Sequence, residues 1–122
     1  MGGVIHIAWY ATVFRQDALA QEVSHAAPLA LRYGATQYAV HRSQDDPYKI
    51  IQMAWFENHE QWYRFWDGPE MIEFRARNAG HFQILVTYTW HDELVADSIA
   101  APVPDEPEVA PRPQPATPQA AQ

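Results

Sequence analysis

Residues 58–82 read NHEQWYRFWDGPEMIEFRARNAGHF, and this stretch decides how the rest of the chain must be arranged. Asn58 is a favourable helix N-cap, and Gln61 follows at the three-residue spacing of a capping box. Large aromatic residues then recur at positions i, i+3 and i+4, so that they share one helical face: Trp62, Phe65 and Trp66. We therefore predict a short helix that presents an aromatic surface.

A second short helix is predicted directly after the first one. Gly68 can adopt a left-handed backbone that ends the first helix, and Pro69 suits the first position of the next. The apolar residues of this second piece are Met71, Ile72 and Phe74, and Gly80 follows its end. The two pieces together form an aromatic cover, which requires a sheet to receive it.

Four other segments are rich in β-branched and aromatic residues and alternate in polarity, which predicts β-strands: residues 4–13, 36–42, 48–56 and 83–91. Residues 17–31 have helical spacing, and Pro28 is expected to kink or end that helix. The order is β-α-β-β-α-β, the arrangement of ferredoxin-like α+β folds. Right-handed crossovers place both helical layers on one face of a four-stranded antiparallel sheet of order 4-1-3-2.

The alternation also predicts which side chains lie on each face of the sheet. The face covered by helices is expected to carry Ile5, Ile7, Trp9 and Trp55. The opposite face is expected to carry His6, Tyr10, Gln37, His41, Gln52, Thr87 and Thr89. Because a bare sheet face with many small and apolar members usually packs against a partner, we expect a homodimer with facing sheets.

The composition excludes several classes of function. The chain has 122 residues and a net charge of −7, without a basic stripe, so we expect no nucleic-acid partner. It contains no cysteine, which excludes disulfides and thiolate catalysis. Residues 4–13 are too short to span a bilayer and no secretion signal is apparent, so we expect no membrane association and a cytoplasmic location.

The proline content divides the chain into two parts. Residues 1–100 are predicted to form one folded domain, whereas residues 101–122 are rich in proline and lack apolar periodicity. This composition is typical of a disordered tail. The tail is interpreted as a plain extension or, alternatively, as a docking segment for a protein partner.

The W-x-x-F-W-x-x-P run at residues 62–69, continued by MIEFRAR at residues 71–77, carries a family resemblance. With the predicted strand order, residues 4–95 resemble the dimeric α/β-barrel superfamily, and more narrowly the antibiotic-biosynthesis-monooxygenase-like and EthD-like small proteins. The resemblance implies a ligand pocket between the sheet and the helices of each subunit. Members of that superfamily include cofactor-independent oxygenases acting on polycyclic phenols, haem-degrading enzymes and isomerases.

Haem degradation is disfavoured by this comparison with the family pattern. Trp66 fits the tryptophan of haem-degrading relatives, but Trp9 stands where they carry an asparagine. The histidine that ligates their iron is expected near Ala76 or Arg77 and is missing, while His81 lies several residues too late. We therefore expect no cofactor.

Candidate site residues follow from these expectations. Trp9, Trp55, Trp62 and Trp66 are candidates to line an apolar cavity for a flat aromatic ligand. Core packing is the preferred interpretation for at least three of the five tryptophans of the chain. His81 is the candidate general base, since imidazoles commonly exchange protons near neutral pH. Arg77 and Tyr63 are candidates to stabilise negative charge on the substrate.

A metal site is a weaker alternative, and none is predicted. His6 and His91 are expected to lie close together on adjacent strands, near Asp92 and Glu93, with His41 too far along its own strand to join them. Two histidines and a carboxylate are a metal-type set, but hydrogen bonding at an interface is the preferred interpretation. The favoured function is that of a homodimeric small-molecule-binding protein, for which the expected reaction is cofactor-independent monooxygenation of an aromatic or polycyclic substrate. The alternative is a non-catalytic binding or assembly module with a docking tail.

Overall fold

A computed structural model describes residues 2–99, and it has the predicted order of strands and helices. The strands are β1 (Gly3–Tyr10), β2 (Gln37–Arg42), β3 (Lys49–Phe56) and β4 (Thr87–His91). The helices are α1 (Gln16–Ala26), a 3₁₀ helix (Ala27–Tyr33), α2 (His59–Trp66) and α3 (Pro69–Arg77). The proline-rich segment 101–122, for which a disordered tail was predicted, lies outside the described residues.

The four strands form one antiparallel sheet in the order β2-β3-β1-β4. This is the predicted order 4-1-3-2 read from the other edge, so the ferredoxin-like α+β arrangement is confirmed. The last strand is shorter than predicted, because only its second half pairs with β1. The first helix changes to 3₁₀ geometry at Ala27, immediately before Pro28, as expected from the hydrogen bond that a proline cannot donate.

The register between β1 and β3 corrects the predicted faces of β3. Val4 lies opposite Trp55 and Ile5 lies opposite Ala54, so the side chain of Trp55 shares the face of Val4 rather than that of Ile5. The prediction that Trp55 lies under the helices is therefore wrong. Gln52, predicted on the bare face, lies opposite Ile7 on the helix-covered face. Both alternating sets of β3 are largely apolar, so polarity alone did not distinguish them.

The caps of α2 explain why this helix begins and ends where it does. Asn58 caps it as predicted, with its Oδ1 accepting a hydrogen bond of 2.9 Å from the backbone N–H of Gln61. The Gln61 side chain accepts from the backbone N–H of Glu57 rather than from that of Asn58. Gly68 is not left-handed, since its φ is −78°. It is needed for space, because a Cβ would lie 2.5 Å from the carbonyl oxygen of Arg64.

The core lies between the helical layer and one face of the sheet. Its largest fully buried side chains come from both layers: Trp9, Trp62, Phe65, Phe74, Ile5, Ile7, Leu19, Ile50, Met71, Gln52 and Val23. Gln52 is the polar member of this set, which makes its hydrogen bonds important for the site. Within residues 2–99, no helix is long and apolar enough to cross a membrane.

Candidate functional site

Three of the four predicted indoles meet between the sheet and the helices. Trp62 and Trp66 stack with ring centroids 5.2 Å apart and planes inclined by 20°, and Trp9 lies 5.8 Å from Trp66. Trp9 and Trp62 are fully buried, and Trp66 is 8% exposed. We call Trp9, Trp62 and Trp66 the indole cluster. Its rings pack against one another as a core, and the cavity predicted beside them stays a prediction.

Two surface clefts lie away from the indole cluster, around Trp55. One has a volume of about 260 Å³ and includes Gly2, Gly3 and Glu93 in its lining. The other, of about 420 Å³, is lined by Trp55, Glu93 and the segment 96–98. The indole of Trp55 donates a hydrogen bond of 2.7 Å to Glu93 between these clefts. The structure thus separates Trp55 from the other three predicted indoles.

Gln52 is a candidate site residue that the sequence alone did not identify. Its Oε1 accepts a hydrogen bond of 3.0 Å from the indole Nε1 of Trp9, and the residue is 1% exposed. Its Nε2 is buried without a hydrogen-bond partner among the described residues. A buried glutamine with one free donor fixes the Trp9 ring and leaves an N–H available to another acceptor.

Unpartnered donors recur around the indole cluster. Besides Gln52 Nε2, the buried Nε1 of Trp62 and Nη1 of Arg75 lack hydrogen-bond partners within residues 2–99. Contacts connect these groups, because Trp66 packs on Trp62, on Trp9 and on Arg75. Buried polar atoms in native proteins are nearly always paired, so each exception needs an explanation. This region therefore contains buried N–H donors for which residues 2–99 supply no acceptor.

Arg75 is the second residue that the sequence did not single out. Its guanidinium carbon lies 4.0 Å from the centroid of the Trp66 ring, which is a cation–π contact. Burial lowers the pKa of Arg75 from its ordinary value, and the charge of Asp67 acts in the opposite direction. The sequence signal that could have identified Arg75 was its position four residues after the apolar Met71, because residues at this spacing share one face of a helix.

The predicted catalytic residues are not joined to one another. His81 Nδ1 lies 3.1 Å from Asn78 Oδ1, whereas Arg77 pairs with Glu22 at 3.5 Å and with Glu73 at 3.8 Å. Tyr63 is 46% exposed. Within residues 2–99, no hydrogen bond or ion pair connects any two of these three predicted residues.

His81 is nevertheless close to the indole cluster through its neighbour in the chain. Phe82 packs edge-on against Trp9 with centroids 5.1 Å apart. The carbonyl oxygen of His81 accepts a hydrogen bond of 3.0 Å from the backbone N–H of Thr12. Residues 81 and 82 are therefore fixed beside the end of β1, next to the Trp9 ring.

His6 and His91 lie close together on the open face of the sheet, as predicted. The His6 and His91 rings lie with centroids 4.0 Å apart. Partial burial lowers the pKa of His6 from 6.5, and the charges of His91 and His41 lower it further. His41 contributes to this shift through its charge, but it does not form a metal-binding group with His6 and His91, as predicted. Among the described residues, no group of three or more potential ligands could hold a metal ion, so the metal-type set is not formed.

Known proteins resemble this chain in structure rather than in sequence. No protein-family model matches the sequence, and no curated protein matches it significantly. The chain is similar in structure to a putative antibiotic biosynthesis monooxygenase from Bordetella bronchiseptica, with 19% identity and a TM-score of 0.67. The matched region covers 78% of this chain and 100% of that one.

Two further solved structures agree with this comparison. A putative antibiotic biosynthesis monooxygenase from Deinococcus radiodurans has 16% identity and a TM-score of 0.67, covering 83% of this chain and all (100%) of the other. SnoaB from Streptomyces nogalater, described as a cofactor-independent oxygenase, has 11% identity and a TM-score of 0.63, covering 78% and 95%. At these identities the likeness concerns the fold. The chain therefore has the fold of the antibiotic-biosynthesis-monooxygenase-like proteins, as the resemblance of residues 62–77 predicted.

Proposed function

We propose that this chain is a homodimeric small-molecule-binding α/β-barrel protein that acts as a cofactor-independent monooxygenase on an aromatic or polycyclic substrate. The observation that carries the proposal is the pair of unpartnered buried donors, Gln52 Nε2 and Trp62 Nε1, within the helix–sheet layer. The fold shared with SnoaB, which is described as a cofactor-independent oxygenase, supports it.

The donors favour a ligand that carries oxygen atoms on a flat apolar body. An unpaired buried polar group destabilises a protein by about 1–3 kcal/mol, which a ligand carbonyl or phenol oxygen would relieve. The indole faces of the cluster suit an aromatic ring, since aromatic pairs stack favourably beyond the area that they bury. Entry of the ligand requires the packed rings around Trp66, the most exposed member, to move apart.

His81 is proposed as the general base. Asn78 Nδ2 donates to the carbonyl oxygen of Phe74, which leaves Asn78 Oδ1 as the acceptor facing His81 Nδ1. A neutral His81 therefore carries its proton on Nδ1 and keeps the Nε2 lone pair free to accept one. This tautomer is the one that a base acting through Nε2 requires.

The reaction begins when His81 removes a proton from a benzylic CH₂ group of an anthrone-type substrate. The carbanion, delocalised as an enolate, gives one electron to dioxygen, and the two resulting radicals combine to form a peroxide anion. His81 then returns its proton to this anion, which gives a hydroperoxide. Loss of water from this hydroperoxide leaves a ketone, so that CH₂ and O₂ become C=O and H₂O. The sequence-based candidates for stabilising the enolate are Tyr63 and Arg77, and Arg77 would have to exchange Glu22 for the substrate.

Oxygen uptake tests the proposal. Purified protein mixed with anthrone should consume one dioxygen per anthraquinone formed, with one ¹⁸O atom from ¹⁸O₂ in the product. His81→Ala should lower kcat about 10²–10⁴-fold, the usual contribution of a general base. His25→Ala, at an exposed position of α1, is the matched control and should leave the rate unchanged. Uptake no faster than in buffer, or an unaffected His81→Ala variant, would refute the catalytic role.

The homodimer is proposed from the open face of the sheet. The corrected register adds Ile51, Met53 and Trp55 to this face, beside Val4 and Ala8. An antiparallel sheet with one apolar face uncovered usually buries that face against a partner. A second copy of the chain would cover it with an identical surface.

Sedimentation velocity tests this association. Wild-type protein should sediment as a dimer, and Met53→Arg should sediment as a monomer because it places a charge in the centre of the interface. Ile72→Arg, on the helix side and already 52% exposed, should remain dimeric. A monomeric wild type would refute the proposal.

Non-catalytic binding is the second candidate, favoured by the dense packing of the indole cluster and by the separation of His81, Arg77 and Tyr63. It predicts that aromatic ligands bind without oxygen uptake.

Docking through the proline-rich tail belongs to the same candidate. Deleting residues 102–122 and comparing captured partners tests it, since an unchanged partner set removes this role.

A further inference from the structure

The arginine side chains of the helical region differ in how their charges are balanced. Arg64 pairs with Glu60 at 2.9 Å, and Arg77 pairs with Glu22 and Glu73. Arg75 has no ion pair with any of residues 2–99, although its Nη1 is buried. It is therefore a partly buried cation on which the charge of Asp67 acts without forming an ion pair.

Such a cation is unfavourable unless something offsets its lost hydration. A guanidinium keeps its proton at all physiological pH values, so Arg75 cannot avoid the penalty by becoming neutral. Stacking on Trp66 at 4.0 Å offsets part of it and fixes the plane of the group. The buried Nη1 donors remain unused. An anionic oxygen would meet both needs, as a hydrogen-bond acceptor and as a counter-charge.

The position of Arg75 determines what else that anion would touch. The guanidinium contacts the Trp66 ring, and that ring lies 5.2 Å from Trp62 and 5.9 Å from Tyr88. Trp66 and Tyr88 would contact the aromatic body of a ligand whose charged oxygen reaches Arg75. A small inorganic anion would leave those rings unused.

We propose that Arg75 selects ligands that are aromatic and anionic, by binding an ionised phenolate, enolate or carboxylate beside the Trp66 ring. This inference rests on the proposed function, because it names the ligand class of the same site. It differs from the sequence-based expectation, which assigned the charge-binding role to Arg77, a residue whose guanidinium already has two carboxylate partners.

Calorimetric titration with two matched probes tests the inference without any turnover. 2-Naphthoate carries a carboxylate, and 2-naphthamide has nearly the same shape without the charge. A charge-assisted hydrogen bond should make wild-type protein bind naphthoate about 10–100-fold more tightly than naphthamide. Arg75→Gln should bring the ratio to about 1 by weakening naphthoate alone, since the charge is lost while the rings remain.

Two further variants keep the result interpretable. Arg75→Lys retains the charge without the planar fork, so it should keep part of the preference and shows the effect even if Arg75→Gln unfolds. Arg64→Gln removes an exposed, ion-paired arginine of α2 and should keep the full wild-type ratio. Circular dichroism spectra establish that each variant is folded.

The possible outcomes separate this inference from the proposed function. Equal affinity of wild-type protein for both probes, no binding of either, or a preference retained in Arg75→Gln overturns the role of Arg75. Oxygen uptake from anthrone together with charge-blind binding would remove that role and leave the monooxygenase. If wild-type protein prefers naphthoate, Arg75→Gln does not, and no oxygen uptake is seen, the result would support the ligand-selecting role of Arg75 and refute the proposed monooxygenase activity.

Discussion

Replacing Gln52 with leucine should change the stability of the fold very little, although the residue is buried and hydrogen-bonded. The substitution leaves Trp9 Nε1 without its acceptor, and it also removes the unpartnered Nε2. Each unpaired buried group destabilises by about 1–3 kcal/mol. The two effects have opposite signs and similar size. We therefore expect Gln52→Leu to shift the free energy of unfolding by no more than about 1 kcal/mol.

The same substitution should damage ligand binding, because it removes a donor that the proposed ligand uses. Stability that is kept while function falls is the usual mark of a residue held in place for function. Affinity for 2-naphthamide, measured by calorimetry, should fall about 10-fold, the effect of one neutral hydrogen bond of about 1.4 kcal/mol. A purely structural glutamine would leave that affinity unchanged.

Urea unfolding followed by far-ultraviolet circular dichroism provides the stability measurement. Protein concentration must be fixed, since association with a second copy stabilises the folded state. Trp9→Phe is the matched partner in a double-mutant cycle. In the wild-type background it leaves Gln52 Oε1 unpaired, whereas in the Gln52→Leu background it removes the unpaired Trp9 Nε1. These two terms of about 1–3 kcal/mol each add, so Trp9→Phe should destabilise the Gln52→Leu variant by about 2–6 kcal/mol less than the wild type. Destabilisation by Gln52→Leu of more than about 3 kcal/mol, at unchanged m-value, would refute the reasoning.

Three further outcomes are expected. The pKa of His6 is held below 6.5, so near that pH the unfolded state binds more protons than the folded state; the contribution of His6 to stability is complete above pH 6.5 and is lost as the pH falls. His91→Ala should raise the pKa of His6 in an NMR titration. An unchanged pKa would contradict the effect of the His91 charge. The hydrogen bond from the Tyr33 hydroxyl lowers the pKa of Glu70 from 4.5, so Glu70 stabilises the fold above pH 4.5 and this stabilisation is lost in acid. In Tyr33→Phe, the free energy of unfolding in urea should therefore change less between about pH 5 and about pH 3, the range in which a carboxyl group titrates. Asn58→Ala should destabilise by about 0.5–2 kcal/mol in urea, the usual range for a lost N-cap, whereas an unchanged midpoint would show that the cap is dispensable.

Local chemistry explains what could be predicted about the fold. Asn58 caps the helix by accepting a hydrogen bond from a backbone N–H only three residues later in the chain. Pro28 lacks a backbone N–H donor in any context. The order of strands and helices follows from such local signals and from periodicity, and the sheet order then follows from the handedness of crossovers. These features depend on neighbours in sequence, so tertiary contacts did not change them.

The candidate site was predictable only in part, for an equally physical reason. Trp9, Trp62 and Trp66 were identified because large aromatic residues at strand and helix periodicity converge on one core. Gln52 and Arg75 were missed because an isolated polar residue resembles a solvated one in sequence. Only their surroundings distinguish them, namely the indole that each one contacts.

Sequence patterns were enough to predict the aromatic helix pair in residues 58–82 and the β-α-β-β-α-β order that it completes. The covered face of β3 could not be predicted in this way, because both of its faces are largely apolar and the register with β1 selects between them. That register turned Trp55 outward and Gln52 inward. A shift by one residue would exchange every side chain of the strand between core and surface.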